Sequence, residues 1–136
     1  HPDLREIDFG NWELKSFDDL AFMYPEEIDK WSNMDLDFTF PGGEKMGSFF
    51  ERTAQVGDYI SSLPDKHIVV MTHGGMVRSL ICHYLGLDWK NYILFEISNT
   101  SLTTIKLFGN KGILAGMNDT CHLNETHECD LIQNPI

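Results

Sequence analysis

Near the middle of the chain, the apolar residues change from the spacing of a strand to that of a helix. Residues 68–71 form a continuous apolar run with β-branched members, which predicts a strand covered on both faces. Gly74 and Gly75 then allow a sharp turn of the backbone. After them, apolar residues recur at helical spacing until Gly86, which is typical of a helix end. The pattern therefore predicts a strand, a glycine corner that carries His73, and a helix.

Before this unit, the pattern predicts one extended segment and several helical turns. Residues 1–9 alternate loosely, which predicts a short strand or an extended segment. Residues 16–31 have helical spacing, and Pro25 is expected to divide them because an interior proline breaks the hydrogen-bond ladder. Ser48 and Glu51 have the spacing of a capping box, and a helix with apolar residues on one side follows them.

After the unit, the pattern predicts three short strands and then a polar tail. The strands are residues 94–97, 101–108 and 112–117, with a hairpin turn at residues 110–112. The order of strand, helices, strand, helix and strands predicts an α/β arrangement with the sheet buried between helices. Few strands precede His67, so the order is typical of the later part of such a fold.

The charge balance narrows the range of partners. The chain has 136 residues, with 21 acidic against 10 basic side chains and a net charge of −11. This charge disfavours nucleic acid and anionic membrane surfaces as partners, and no apolar run is long enough to span a bilayer. The length predicts one domain or part of one. The three cysteines, an odd number, favour reduced thiols and a cytoplasmic location.

Two side chains are candidates for proton or phosphoryl chemistry. His73 at the glycine corner is expected to face helix N-terminal amides, where an imidazole can act as base, acid, nucleophile or anion ligand. The alternative is a histidine that caps the helix or packs at the strand end. Glu6 has Asp8 and Glu13 nearby in sequence, and neighbouring carboxylates favour the protonated form that a general acid needs. The alternative is a solvated acidic edge.

A tight group of cysteines and histidines near the end of the chain superficially resembles a zinc knuckle. Its members are Cys121, His122, His127 and Cys129. The spacing is tighter than the usual structural pattern, and no second Cys-x-x-Cys is present. We therefore predict no metal and no cofactor, with a small zinc module as an alternative.

Three motifs, taken together and in order, resemble those of the histidine phosphatase superfamily, also called phosphoglycerate mutase-like. Residues 4–13 (LREIDFGNWE) are similar to the family's Leu-x-Glu-x-x-x-Gly-x-x-Glu segment. Residues 40–44 (FPGGE), followed by Arg52, are similar to its Pro-Gly-Gly-Glu-Ser element and the helix after it. Residues 69–75 (VVMTHGG) are similar to its second histidine motif. The resemblance covers nearly the whole chain.

The resemblance implies a fold, a reaction and roles for three residues. The family's fold is a three-layer α/β/α sandwich with a mostly parallel sheet. In its reaction the substrate phosphorylates a first histidine, which belongs to an Arg-His-Gly motif on the central strand. Arginines, the second histidine and backbone amides hold the phosphoryl group, and a carboxylic acid protonates the leaving alcohol. On this mapping Glu6 is the proton donor, His73 is the second histidine and Gly74 offers an amide to the phosphoryl oxygens.

The chain also departs from the family pattern. It contains no Arg-His-Gly sequence, and Leu14 and Lys45 stand where the family often has Gly and Ser. The resemblance therefore implies that the nucleophilic histidine, two phosphate-binding arginines and the central strand lie upstream of His1. Residues 1–136 are then the C-terminal portion of a single domain.

Within the superfamily, phosphoglycerate mutases carry a longer insertion between the segments that correspond to Glu6 and the Pro-Gly-Gly-Glu element. The short stretch here therefore implies, through the resemblance, a phosphatase of a small phosphomonoester, with a phosphoglycerate mutase as an alternative. The Pro-Gly-Gly-Glu element and the compact ending are most similar to those of α-ribazole phosphatases of cobalamin biosynthesis. A catalytically inactive fragment or binding module is the other alternative. A sheet without its central strand exposes apolar surface and unpaired backbone, so we expect a homodimer or poor solubility.

Overall fold

A computed structural model describes residues 1–123. The helices are α1 (Phe17–Met23), α2 (Pro25–Ser32), α3 (Met46–Ser62) and α4 (Gly74–Leu85). The strands are β1 (Leu102–Phe108) and β2 (Lys111–Asp119). Short 3₁₀ turns lie at Pro2–Leu4, Gly10–Trp12, Trp89–Leu94 and Cys121–Leu123. No helix within these residues is both long and apolar enough to cross a membrane.

The hydrophobic core lies between α3 and α4. The apolar face of α3 buries Phe49 and Val56, and α4 turns Met76 and Leu80 into the same cluster. Burying each such side chain stabilises the fold by about 1.5–3 kcal/mol relative to leaving it exposed. The packing of α3 against α4 therefore fixes the start of α4, and the N-terminal segment packs against these two helices.

The same core continues around Trp12, where it contacts the early helices. The rings of Phe38, Phe40 and Trp31 lie at 5.2–6.0 Å from the ring of Trp12. The predicted division of the helical stretch is confirmed, because α2 begins at Pro25. Proline is tolerated there because the first N–H groups of a helix have no acceptor within it.

The predicted capping box at Ser48 is wrong. α3 begins two residues earlier, at Met46, and has no side-chain cap. The N–H groups of Met46 and Gly47 donate instead to the carbonyls of Phe38 and Leu36, at 2.9 and 3.0 Å. Main-chain carbonyls of the preceding loop thus accept the first N–H groups of α3. Ser48 lies inside the helix and does not cap it.

The predicted strand at residues 94–97 is not formed, and of the two predictions for residues 1–9 the extended segment, and not the strand, agrees with the structure. The chain starts with the 3₁₀ turn Pro2–Leu4 and continues as an extended segment without a ladder. Residues 94–97 follow directly from the turn Trp89–Leu94 and do not pair. Within residues 1–123 no neighbouring strand offers either segment a row of hydrogen-bond partners.

The last two predicted strands are confirmed as an antiparallel hairpin. Phe108 pairs with Lys111, so the turn consists of Gly109 and Asn110 and begins one residue earlier than predicted. Gly109 has a φ of 65°, a left-handed conformation that tight hairpin turns require and that glycine adopts without strain. Ile105 and Leu107 of β1 pack against the core.

The predicted buried strand at residues 68–71 is wrong for the described chain. Val70 packs against the core, but Val69 and Met71 are 93% and 92% exposed. No main-chain hydrogen bond of residues 65–72 is formed within residues 1–123. The segment is extended but has no neighbouring strand, and the hairpin is the only sheet in this part of the chain. The expected mostly parallel sheet is therefore not formed by these residues.

A groove of about 690 Å³ separates this unpaired segment from β1. Ile68 and Val70 line one side, and Ile105 and Leu107 line the other. The two walls are an extended segment and a strand that do not bond to each other.

Candidate active site

His73 lies at the predicted glycine corner, directly before α4. Its backbone is extended, with φ −107° and ψ 163°, and its carbonyl accepts the N–H of Val77 at 2.9 Å. The residue is exposed, and its imidazole forms no capping hydrogen bond with α4. His73 therefore occupies the N-cap position of α4, as in the alternative of a capping histidine, but its side chain does not cap the helix. The imidazole lies at the helix N-terminus, open to solvent.

Gly74 leaves open space beside this histidine. Of the described atoms, a Cβ at Gly74 would approach only the carbonyl oxygen of Ile97, at 4.0 Å. The first N–H groups of a helix lack acceptors within the helix, and the helix dipole makes this end favourable for anions. The position of Gly74 thus suits an amide that donates to an anion.

The fold brings the carboxylate of Glu6 to the same helix N-terminus. One oxygen, Oε2, accepts the N–H of Gly75 at 2.9 Å, and the other, Oε1, accepts the N–H of Ile7 at 3.0 Å. A Cβ at Gly75 would lie 2.5 Å from Oε1, so only glycine permits this approach. Glu6 and His73, which are far apart in sequence, therefore flank one helix start.

The other two carboxylates of the early motif point elsewhere. Asp8 accepts the N–H of Gly10 at 2.9 Å and so closes a local turn. Glu13 is exposed, and no hydrogen bond joins it to Glu6 within residues 1–123. The crowding of Glu6 by the charges of Asp8 and Glu13 stays a prediction.

A buried arginine on α3 holds the segment that carries Glu6. Arg52 pairs with Glu44 through two hydrogen bonds of 2.7 and 2.8 Å. It also donates to the main-chain carbonyls of Asp3, Arg5 and Glu6, at 2.8, 2.9 and 3.0 Å. The sequence indicated Arg52 only as part of a motif, and its contacts depend on the tertiary fold.

Glu44 completes this arrangement from the other side. Its carboxylate accepts the N–H of Asp8 at 3.3 Å, and the guanidinium of Arg5 lies 3.5 Å away. Burial raises the pKa of Glu44. Hydrogen bonds from Arg52 and the Asp8 amide, with the charges of Arg52 and Arg5, outweigh burial and hold the pKa below its usual value. Glu44 is thus charged in the folded protein at neutral pH.

Two further residues near Glu6 were not predicted as site residues. The buried Nε atom of Arg78 has no hydrogen-bond partner within residues 1–123. Arg78 follows Gly75 by three positions on α4, so both lie on the same helix face. Burial raises the pKa of Tyr92, the charge of Arg78 lowers it and the charge of Glu6 raises it, which places Tyr92 within electrostatic reach of both. Sequence spacing from the glycine corner could have indicated Arg78, but nothing local indicates Tyr92.

The cysteine and histidine group near the chain end is only half described. Cys121 and His122 lie on the turn Cys121–Leu123, whereas His127 and Cys129 lie outside the described residues. Within residues 1–123, no three His, Cys, Asp or Glu side chains are grouped so that they could hold a metal ion.

The arrangement can therefore bind an anion and move a proton. Amides at the start of α4 are available to a bound anion, an imidazole stands beside them, and a carboxyl group lies within hydrogen-bond distance of the same turn. Such donors stabilise charge on phosphoryl oxygens, and a carboxyl group can protonate a leaving oxygen.

The chain has relatives among known proteins. The sequence model of the histidine phosphatase superfamily (branch 1) matches residues 1–120. Phosphoserine phosphatase 1 of Hydrogenobacter thermophilus is 28% identical over 124 residues, which are 88% of this chain and 57% of that protein. Phosphoglycerate mutase-like protein 4 of Arabidopsis thaliana is 32% identical over 130 residues, 91% of this chain and 54% of that protein. The chain thus spans little more than half the length of these relatives.

A solved structure shares the fold. The crystal structure of the α-ribazole phosphatase from Shigella flexneri superposes with a TM-score of 0.73 at 23% identity. The match covers 88% of this chain and 59% of that protein. The likeness shows an α/β fold of this type. Residues 1–123 contribute four α-helices and one hairpin to it.

Proposed function

Because the chain belongs to the histidine phosphatase superfamily (branch 1), we propose that it is the C-terminal portion of a phosphatase domain that hydrolyses small-molecule phosphomonoesters. The observation that carries this proposal is the Glu6 carboxylate, bonded at 2.9 Å to the α4 N-terminus that begins directly after His73. An anion site and a proton donor at one helix start meet two of the requirements of phosphomonoester cleavage, and a nucleophile is the third.

Each residue then has a defined task. The N–H of Gly74 and the imidazole of His73 bind the oxygens of the phosphoryl group as charge develops on them. Glu6, in its protonated form, donates a proton to the leaving alcohol oxygen as the P–O bond breaks. The phosphoryl group passes to the nitrogen of a nucleophilic histidine, and water then hydrolyses this phosphohistidine to inorganic phosphate.

The nucleophilic histidine is expected outside this chain, on a strand of the same domain. The groove between residues 66–70 and β1 supports this proposal, because both of its walls have extended backbone without partners on that side. An inserted strand would pair with both walls and complete a mostly parallel sheet in a three-layer sandwich. It would also end beside His73, since the carboxyl ends of parallel strands meet at one edge of a sheet.

The substrate is proposed only by class, with α-ribazole 5′-phosphate as the first candidate. Phosphoserine is the second, because two relatives from Hydrogenobacter thermophilus have names that include phosphoserine phosphatase. Phosphoglycerate mutase activity is the remaining enzymatic alternative. Turnover of each compound by the purified protein separates these three.

The first experiment compares p-nitrophenyl phosphate hydrolysis by the 136-residue chain and by the intact gene product that contains it. We expect turnover only where the upstream histidine is present, with loss in His73→Ala. The matched control is His83→Ala, on the same helix, whose imidazole instead contacts Asp58 at 3.1 Å. The intact protein should also acquire acid-labile, base-stable phosphate on a histidine.

Two results would change the proposal. If the 136 residues alone turn over, the nucleophile lies within them and the account of an upstream histidine fails. If neither protein turns over or takes up phosphate, a non-catalytic binding module that pairs with another chain or a second copy becomes the better interpretation. The open edges of residues 65–72 favour that second function.

A further inference from the structure

We propose that Arg52 is a positioning residue that holds Glu6 in place for proton transfer, an inference that rests on the function proposed above. Arg52 is buried on α3, with 8% of its surface exposed. Its hydrogen bond to Glu6 goes to the main-chain carbonyl and not to the carboxylate. Its influence on the reacting carboxyl group is therefore exerted through the backbone.

All donors of Arg52 are used within the chain. A guanidinium carries five N–H groups in a fixed planar fork. Two of them bind Glu44, and the other three bind the carbonyls of Asp3, Arg5 and Glu6. No donor remains for a phosphoryl oxygen. Arg52 therefore does not belong to the arginines that would bind the substrate.

The contacts of Arg52 replace the ladder that the Glu6 segment lacks. Arg5 has extended backbone, with φ −66° and ψ 156°, but residues 5–9 belong to no sheet within residues 1–123. Other side chains bind the flanking backbone: Thr72 donates to the carbonyl of Leu4, and Glu44 accepts the N–H of Asp8. The backbone on both sides of the Glu6 side chain is thus fixed by Arg52 and its ion-pair partner.

Small displacements matter for this role. A general acid acts within about 2.6–3.2 Å of the oxygen that it protonates, and a misplacement of about 1 Å can cost about a hundredfold in rate. Lysine would retain the positive charge of Arg52, but it has three donors on one nitrogen and cannot reproduce the planar fork. Arg52→Lys should therefore loosen Glu6 without removing the buried charge.

The activity test uses the intact gene product and two substrates. An alkyl phosphate needs protonation of its leaving oxygen, whereas p-nitrophenyl phosphate has a good leaving group and needs little. We expect Arg52→Lys to lower kcat/KM about tenfold or more on the alkyl phosphate and less than about threefold on p-nitrophenyl phosphate. The matched control is Arg5→Lys. The Arg5 side chain lies 3.5 Å from the same Glu44 carboxylate but donates nothing to Glu6, so neither rate should change.

A second readout does not depend on activity. The amide NMR signals of Ile7 and Gly75, whose N–H groups donate to the Glu6 carboxylate, should respond to acidification. Arg52→Lys should weaken the response of Gly75, and Glu44→Gln should do so to a smaller extent. Thermal unfolding of both variants establishes that they are folded.

The outcomes separate this inference from the function on which it rests. An equal loss on both substrates, or an unchanged Gly75 response, would overturn the positioning role. If the wild-type protein hydrolyses neither substrate, the proposed function fails, and the NMR response alone decides whether Arg52 places Glu6.

Discussion

At the scale of single residues, the contact between Gly75 and Glu6 has no room for a side chain at position 75. We expect Gly75→Ala to displace the carboxylate, because the added Cβ would lie 2.5 Å from Oε1. The obstacle is the end of a flexible side chain, so the fold should remain intact. In the intact gene product, kcat/KM on an alkyl phosphate should fall about tenfold or more, as expected for loss of a general acid.

The control for this substitution is Gly116→Ala on β2. A Cβ there would meet no atom of the described residues within 4 Å. The same added methyl group should therefore leave activity unchanged. Wild-type activity in Gly75→Ala, with the mutant crystal structure showing the carboxylate unmoved, would contradict the proposed contact.

The ion pair of Glu44 predicts a pH dependence of stability. Its folded pKa is lowered, so its contribution is complete above the ordinary glutamate pKa of 4.5 and is lost as the pH falls through the lower folded value. Glu44→Gln should reduce the free energy of unfolding at neutral pH by about 1–3 kcal/mol, because Arg52 loses a charged acceptor. Below pH 4.5 the difference between variant and wild type should shrink.

Urea unfolding between pH 3 and pH 7 measures this effect. Glu51→Gln is the matched control, since Glu51 is an exposed glutamate on α3 and its loss removes the same charge. A pH-independent difference between Glu44→Gln and wild type would show that the carboxylate charge is not what stabilises the segment.

The sequence indicated some of these residues and could not indicate others. His73 could be found from local pattern alone, because a histidine before two glycines stands between an apolar run and a helix. Glu6 could be named as a candidate acid from its carboxylate neighbours in the sequence, but its contact with Gly75 could not be, because distant chain segments make it. The contacts of Arg52 with the carbonyls of Asp3, Arg5 and Glu6 likewise depend on the tertiary fold.

At the scale of elements, the N-termini of α1 and α3 predict different effects on stability when a nearby serine is replaced by alanine. Ser16 forms a full capping box with Asp19 at the start of α1, so Ser16→Ala should destabilise the protein by about 1 kcal/mol. Ser48 has the same apparent signature, but α3 begins at Met46 and Ser48 caps nothing. Ser48→Ala should therefore be within about 0.5 kcal/mol of wild type.

Chemical denaturation of the two variants side by side distinguishes these roles. Equal effects, or a larger loss in Ser48→Ala, would mean that the sequence signature and not the observed helix start determines capping.

Helix boundaries at Pro25 and Gly86 and the hairpin were predicted correctly from local signals, whereas the strand predicted at residues 68–71 depends on a distant partner and is not formed. Pro25 and Gly86 mark helix boundaries through their own backbone preferences, and the hairpin requires only a turn residue such as Gly109. Residues 68–71 have the composition of a strand, but a strand forms only beside another strand. Their pattern is therefore that of a strand with neighbours on both sides, and residues 1–123 contain no strand that pairs with them.

At the scale of the whole molecule, the same segment has one satisfied face and one open face. Side chains alternate along extended backbone, so Val70 packs inward while Val69 and Met71 point outward and are over 90% exposed. The main-chain groups of residues 65–72 are also unpaired within the described chain. In a three-layer domain, helices would cover this outward face and neighbouring strands would pair with both edges of the segment. The exposed apolar side chains of residues 68–71 are therefore expected for a chain that contains only part of such a domain.

The 136-residue chain by itself should therefore self-associate, because exposed apolar side chains on an unpaired extended segment favour pairing with a second copy. We expect sedimentation velocity to show a concentration-dependent shift to dimers or larger species, and Val69→Lys with Met71→Lys to reduce it. Phe22→Lys, which removes an apolar side chain 88% exposed on α1, is the control and should have no effect. A monodisperse, stable monomer at all concentrations would mean that the open face needs no cover. Reduced association in the Phe22 variant alone would show that the copies associate through α1 and not through residues 68–71.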